Sequence, residues 1–282
     1  MPSQTPQWFP GHMARARRLI QESLKLVDAV VELRDARAPE SSANPDLGGI
    51  IGKKPRIALL NKCDLADPDA TARFVRARPN TLAVDCRSGK GLNRLAPLVR
   101  ECLADLIQAN IAKGMKNRPL RLMVVGIPNV GKSSFINRMA KGSRAETADK
   151  PGVTRRNQWY VIGRVDGMTI ELLDTPGVLW PKFDDPAVGE KLAFLGSIKD
   201  EITDIETLAL RLMEVLRDSY PERLRERYKL ETELAARPEE LLERMARKRG
   251  MLLPGNAPDT HRAAAVLLDE LRAGKLGKIT LD

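Results

Sequence analysis

Histidine and cysteine are scarce in this chain: its 282 residues include two histidines, His12 and His261, and three cysteines, Cys63, Cys86 and Cys102. Two histidines are too few for a histidine-based metal cluster. The cysteines show neither paired nor CxxC spacing, which argues against a disulfide framework or a zinc site and for free thiols in a reducing compartment. No low-complexity tract is present, and no apolar run approaches the roughly 20 residues needed to cross a bilayer. Residues 1–8 are polar and proline-bearing, without an apolar signal segment. The expected location is therefore the cytoplasm.

The length allows one domain with a sizeable core and a second, smaller one. The formal charge is +10. Such an excess suits a polyanionic partner, because fixed positive charge attracts phosphate backbones. Charge alone does not separate nucleic acid from an anionic membrane. The lack of an amphipathic lipid anchor or lipidation motif favours nucleic acid, with no membrane partner expected.

Apolar spacing predicts a helix over 12–27, with Met13, Ile20, Leu24 and Val27 on one face. Short apolar strands are expected at Ala29–Leu33, Arg56–Leu60, Thr81–Val84, Leu120–Val125, Trp159–Ile162 and Thr169–Leu173, with helices at Leu92–Ile107 and Lys132–Met139. Ala109–Pro119, polar and basic, reads as a connector. This alternation predicts an α/β class, a mostly parallel sheet with helices on both faces. From residue 187 the period is helical, with breaks near Pro221, Pro238 and Pro254-Gly255. The expected domains are thus 1–186, α/β, and 187–282, small and all-helical. Arg244, Arg247, Lys248, Arg249, Arg262, Arg272, Lys275 and Lys278 of the second, with the N-terminal arginines, form a candidate polyanion surface.

Gly126 to Ser133, GIPNVGKS, matches GxxxxGK[ST] between an expected strand and an expected helix. The backbone amides of Asn129, Val130, Gly131, Lys132, Ser133 and Ser134 are candidates to wrap phosphates. Lys132 would neutralise the β and γ phosphates, and Ser133 would ligate Mg²⁺. Asp174-Thr-Pro-Gly177 follows a strand about forty residues later in the chain. Asp174 suits Mg²⁺ binding through water, and the Gly177 amide can reach a γ-phosphate. Thr154 lies between the two motifs and is a candidate switch residue completing the Mg²⁺ shell; an ordinary loop threonine is the alternative.

Asn61-Lys62-Cys63-Asp64 matches NKxD. Asp64 can accept two hydrogen bonds from guanine, which adenine cannot supply in that pattern, so the motif selects GTP over ATP. Lys62 would pack over the phosphate loop and Asn61 would tie the two loops together. Asp85-Cys86-Arg87 stands where Ser-Ala-Lys is usual; only a backbone amide is needed at guanine O6, so Cys86 can replace alanine there. The order is unusual: NKxD precedes the phosphate loop. One sheet can hold all these motifs if the old termini are joined at Ala109–Pro119 and new ones opened.

This arrangement resembles the circularly permuted ribosome-assembly GTPases of the RbgA/YlqF type. The resemblance rests on Trp8-Phe-Pro-Gly-His12-Met13, Asp35-Ala-Arg37-Ala-Pro39, Asn61-Lys-Cys-Asp64, the phosphate loop, Asp174-Thr-Pro-Gly177 and the closing Gly274-Lys-Leu-Gly-Lys-Ile-Thr-Leu. It implies a cytoplasmic GTPase, monomeric when free, that acts on the maturing large ribosomal subunit. It also implies a C-terminal domain that binds ribosomal RNA. The residue after Asp-x-x-Gly is Val178, which cannot orient water as the glutamine of Ras-like proteins does. The resemblance makes His12 a catalytic candidate, against a helix-capping or RNA-contacting role. It also makes Asn129 a candidate K⁺ ligand, the ion adding charge between the phosphates. Two further readings stay open: an RNA-binding scaffold with incidental hydrolysis, and an ATP-dependent P-loop enzyme, against which Asp64 argues.

Overall fold

The computed structural model describes residues 18, 20–115, 117–140, 158–174, 185–198, 204–230 and 236–282. The described residues up to Asp174 belong to one compact unit and those from Asp185 to Leu281 to another. Pro186, expected to close the first domain, opens a helix of the second unit.

The first unit is built on one six-stranded sheet. In chain order its strands are β1 (Ala29–Asp35), β2 (Arg56–Asn61), β3 (Thr81–Ala83), β4 (Leu120–Gly126), β5 (Trp159–Val165) and β6 (Met168–Asp174); in space the order is β3-β2-β1-β4-β6-β5. All neighbouring pairs are parallel except β5 with β6. The permutation is visible in this order. β1, β2 and β3 fill one side of β4 before β4 is reached along the chain, and β6 and β5 fill the other side afterwards. Every residue of β1 is buried, as expected of a central parallel strand covered on both faces. The α/β class read from the sequence is the class observed.

The helices are α1 (Leu47–Ile51), α2 (Pro68–Ala77), α3 (Leu95–Cys102), α4 (Ala104–Ala112) and α5 (Lys132–Met139). Three expectations need correction. The N-terminal helix, where described, ends at Leu24, and Val27 lies past a turn. Ile20, Leu24 and Val27 are nonetheless buried together against Val30, Met123 and Leu173. The single helix expected over Leu92–Ile107 is a 3₁₀ turn at Leu92–Arg94 followed by α3 and α4, broken at Leu103. Leu95, Val99, Leu103 and Ile107 are all buried. Side chains four apart drift about 40° per step around a straight helix, and a break at Leu103 turns the run back toward the core. Finally, the connector expected from Ala109 begins inside α4. Its far end returns to the base of β1, where Asp28 accepts from Arg118 Nη2 at 2.8 Å and from the Arg121 amide at 2.9 Å.

The second unit consists, among the described residues, of α6 (Pro186–Phe194), α7 (Ile205–Ser219), α8 (Pro221–Tyr228), α9 (Pro238–Lys248) and α10 (Thr260–Arg272). Pro221 and Pro238 sit in the first turns of α8 and α9, where a missing N–H costs nothing. Leu212, Leu216, Leu241, Met245, Leu267 and Leu271 are among its core residues. No helix among the described residues is long and apolar enough to cross a membrane.

Candidate nucleotide site

Parallel pairing puts the carboxyl ends of β1, β2, β4 and β6 at one edge of the sheet. Asp35 lies opposite Asn61, Leu33 opposite Gly126, and Val124 opposite Asp174. This is the edge where open α/β sheets bind ligands. The residues singled out above on β2, β4 and β6 therefore meet there, although β2 and β4 are far apart along the chain.

The phosphate loop runs from Gly126 to Gly131, which precedes the first residue of α5. A Cβ on Gly126 would lie 2.7 Å from the Leu33 carbonyl oxygen, so β4 can run this close to β1 only with glycine there. Asn129 has φ +59° and Gly131 φ +102°; together they turn the chain into the start of α5. Ser133 and Ser134 are exposed in the first turn of that helix, where unpaired N–H groups and the helix dipole favour an anion. Lys132 folds over the loop, its Nζ donating to the carbonyls of Gly126 (2.9 Å) and Ile127 (3.2 Å). Burial lowers its pKa to about 8, against an opposing pull from the charge of Asp174. That coupling and the β4–β6 register place Asp174 beside the start of α5. The hydroxyl of Ser133 and the carboxylate of Asp174 are oxygen donors of the type Mg²⁺ takes, so the residues present fit that ion.

Asn61 bridges three segments. Its Nδ2 donates to the Val130 carbonyl at 2.7 Å, and its Oδ1 accepts from the Cys86 amide at 3.0 Å. Val130 and Asn61 are both buried. Lys62, in the left-handed region at φ +61°, donates from Nζ to the Asn129 carbonyl at 2.9 Å. Asp64, expected from the sequence to face a base, is exposed beyond this bridge. The Cys86 amide, expected at guanine O6, here donates to Asn61. The Asp85 side chain, grouped above with the guanine loop, accepts from the amides of Arg87 (2.8 Å) and Ser88 (3.1 Å) and so shapes the turn. Burial pushes Asp85 upward, but hydrogen bonds from Ser88 and Arg87 outweigh it and hold the carboxyl below its ordinary range. Burial, then the charge of Asp85, pushes the Cys86 thiol up to about 12, and burial raises Cys63 as well. Both are thiols at neutral pH.

Sequence reasoning assigned no role to Arg138. Its Nη2 donates to the Arg87 carbonyl, tying α5 to the turn after β3. Basic character in the last turn of α5 was the signal on offer, and it matches many solvated arginines. His12, Thr154 and Gly177 lie outside the described residues.

Relatives of known name match nearly the whole chain. The Ribosome biogenesis GTPase A of Priestia megaterium is 46% identical over 99% of this chain and 96% of its own length. That of Bacillus pumilus is 44% identical over 99% and 98%. The chain belongs to the ribosome biogenesis GTPase A family. It is a GTPase, and GTP with Mg²⁺ is the substrate form the family implies. A family model described as 50S ribosome-binding GTPase matches residues 121–244. The crystal structure of GNP-bound YlqF from T. maritima superposes with a TM-score of 0.62 at 29% identity, covering 95% of this chain and 97% of that one. The permuted motif order of the ribosome biogenesis GTPase A family is thus accompanied by the fold it requires.

Proposed function

We propose that this chain is a GTP-hydrolysing assembly factor for the large ribosomal subunit, with the nucleotide state setting its affinity for the subunit. The observation that carries the reading is the near-full-length likeness to proteins named Ribosome biogenesis GTPase A, supported by the family model's 50S description. Asp64 selects guanine by accepting from two donors on the base edge. Asn61 and Lys62 hold the base loop to the phosphate loop. The amides of Asn129 to Ser134 and the Lys132 ammonium take the phosphates. Ser133 and Thr154 hold Mg²⁺, with Asp174 reaching it through water, and the Gly177 amide senses the γ-phosphate. His12 orients the attacking water in place of the glutamine that Val178 replaces. K⁺, held at Asn129, adds positive charge to the transition state.

The second unit is the ribosomal-RNA-binding part of this reading. Arg262, Lys275 and Lys278 are exposed on it, whereas Arg247, Lys248 and Arg249, though they reach the surface, also bond within the unit to the Asn256 carbonyl, the Lys229 carbonyl and Glu270. Arg272 is not available in the same way: it donates to the carbonyls of Ala193 (2.9 Å) and Phe194 (3.1 Å) at the end of α6. The protein works in the cytoplasm and is monomeric when free. GTP turnover in K⁺ buffer, with and without purified subunits, tests the reading. Stimulation by large but not small subunits, lost in Na⁺ and in a His12→Ala variant that still binds GTP, is expected. Turnover indifferent to both subunits would overturn it.

A further inference from the structure

Asp35 and Arg37 belong to no role assigned so far. Asp35 closes β1 and is 1% exposed; Arg37 is also 1% exposed and ranks among the largest fully buried side chains. A charged pair this deep in a sheet is costly unless each member is held on several sides. Asp35 Oδ1 accepts from the Arg37 amide and from Arg37 Nε, each at 3.0 Å, and Oδ2 accepts from Arg37 Nη2 at 2.9 Å. Oδ2 also meets Lys62 Nζ at 2.9 Å. Burial pushes the Asp35 carboxyl upward, yet Arg37 and then Lys62 outweigh it and bring it to about 2. It is therefore an anion at any working pH.

Lys62 has a second partner, the Asn129 carbonyl of the phosphate loop. The ammonium thus spans from a buried carboxylate on β1 to a loop peptide in the left-handed region. Lys62 is itself left-handed, as is Asn129. Non-glycine residues hold such a conformation only where their surroundings over-determine it. The Asn129 carbonyl is the last backbone acceptor before the Val130 carbonyl, which Asn61 grips. Two neighbouring peptides of the phosphate loop are therefore each fixed from outside.

We propose that Asp35 and Arg37 are positioning residues of the nucleotide site. Arg37 fixes the Asp35 carboxylate, Asp35 fixes the Lys62 ammonium, and Lys62 fixes the Asn129 peptide, so that the loop amides are set before nucleotide arrives. The chain of contacts acts on phosphate binding and leaves base selection to Asp64. It rests on the GTPase site and not on any ribosomal partner.

The test is a double-mutant cycle on the full chain, read as GDP affinity by calorimetry. Asp35→Asn keeps the shape and removes the charge, and about tenfold weaker GDP binding is expected, the size of losing one charge-assisted hydrogen bond. The ratio of GTP to ITP affinity stays unchanged, because the Asp64 partner groups are untouched. Lys62→Met weakens binding too, and the double variant binds no more weakly than Lys62→Met alone, since Asp35 works through that ammonium. A general packing defect would instead add in full to the Lys62→Met loss. Full additivity, unchanged GDP affinity in Asp35→Asn, or a shifted GTP to ITP ratio would each overturn the proposal. If Asp35→Asn does not fold, Arg37→Lys carries the same cycle: it keeps the buried charge and loses the forked grip on the carboxylate.

Discussion

At the scale of single residues, the nucleotide site depends on positions where no other side chain fits. A Cβ on Gly131 would lie 2.3 Å from Asn61 Nδ2, and φ there is +102°. Gly131→Ala therefore strains the backbone and displaces the side chain that joins the base loop to the phosphate loop. Backbone strain of this kind costs on the order of 1–3 kcal/mol, so GDP affinity should fall by one to two orders of magnitude while circular dichroism shows the fold retained. Lys132 gives a pH prediction. Its pKa, lowered by burial to about 8 from 10.5, means that the folded protein without nucleotide releases this proton between those values while the unfolded chain keeps it. Stability from this group thus rises with pH across that window, the reverse of a paired lysine. Phosphate binding needs the charged form. Nucleotide binding at pH 8.5 should then take up protons, seen as a calorimetric heat that varies with the buffer's ionisation enthalpy, and the uptake should vanish at pH 6.5.

At the scale of elements, the strands and α5 were legible because their apolar runs are bounded by turn residues and by the motifs themselves. Several ends shifted: β1 continues past Leu33 to Asp35, since a buried ion pair, and not apolar content, completes it. The break at Leu103 was not legible, because a spacing of four satisfies a helical pattern whether or not the helix stays straight. α1 and α2 carry too few periodic apolar residues to announce themselves. α2 shows its start instead through Asp67, which accepts from the Ala70 amide at 2.7 Å ahead of Pro68. In the second unit the hidden element is a polar cluster joining α8 and α10. Glu270, 6% exposed, accepts from Arg227 on both oxygens and from the Tyr228 hydroxyl at 2.8 Å, with Arg249 at 3.4 Å. The hydrogen bond from Arg227, with that from Tyr228, outweighs burial and holds Glu270 below its ordinary range. The stability it contributes is present above the ordinary glutamate value and is lost as pH falls through the lowered one. Because both arginines are about one-third exposed, Glu270→Gln should cost about 1–2 kcal/mol, less than a fully buried pair. Faster hydrogen exchange in α8 and α10, with the β-sheet unaffected, would show it.

At the scale of the molecule, motif order told more than motif content. Set against the ordinary GTPase order, a base-loop strand that precedes the phosphate-loop strand implies a permuted chain, and the observed sheet, with β2, β1 and β4 side by side, holds both. The insertion of β1 between the two motif strands could not be read from spacing, so the contribution of Asp35 and Arg37 stayed hidden. Nor could the charge count tell which cations face outward: Arg272 caps α6, whereas Arg262, Lys275 and Lys278 are exposed. That sorting makes the polyanion reading quantitative. Each cation that touches a phosphate adds roughly 0.7–0.9 to the steepness with which log affinity falls against log salt. If the second unit meets ribosomal RNA through its exposed cations, reversing Arg262, Lys275 and Lys278 together to glutamate should flatten that slope by about 2–3 for large-subunit binding. Turnover of GTP without subunits should not change, since none of the three lies in the nucleotide unit. Arg272→Glu should behave differently, freeing the α6 carbonyls and lowering the melting temperature, because its guanidinium is spent inside the fold. An unchanged salt slope in the triple variant would move the ribosomal surface away from these helices and onto the N-terminal arginines.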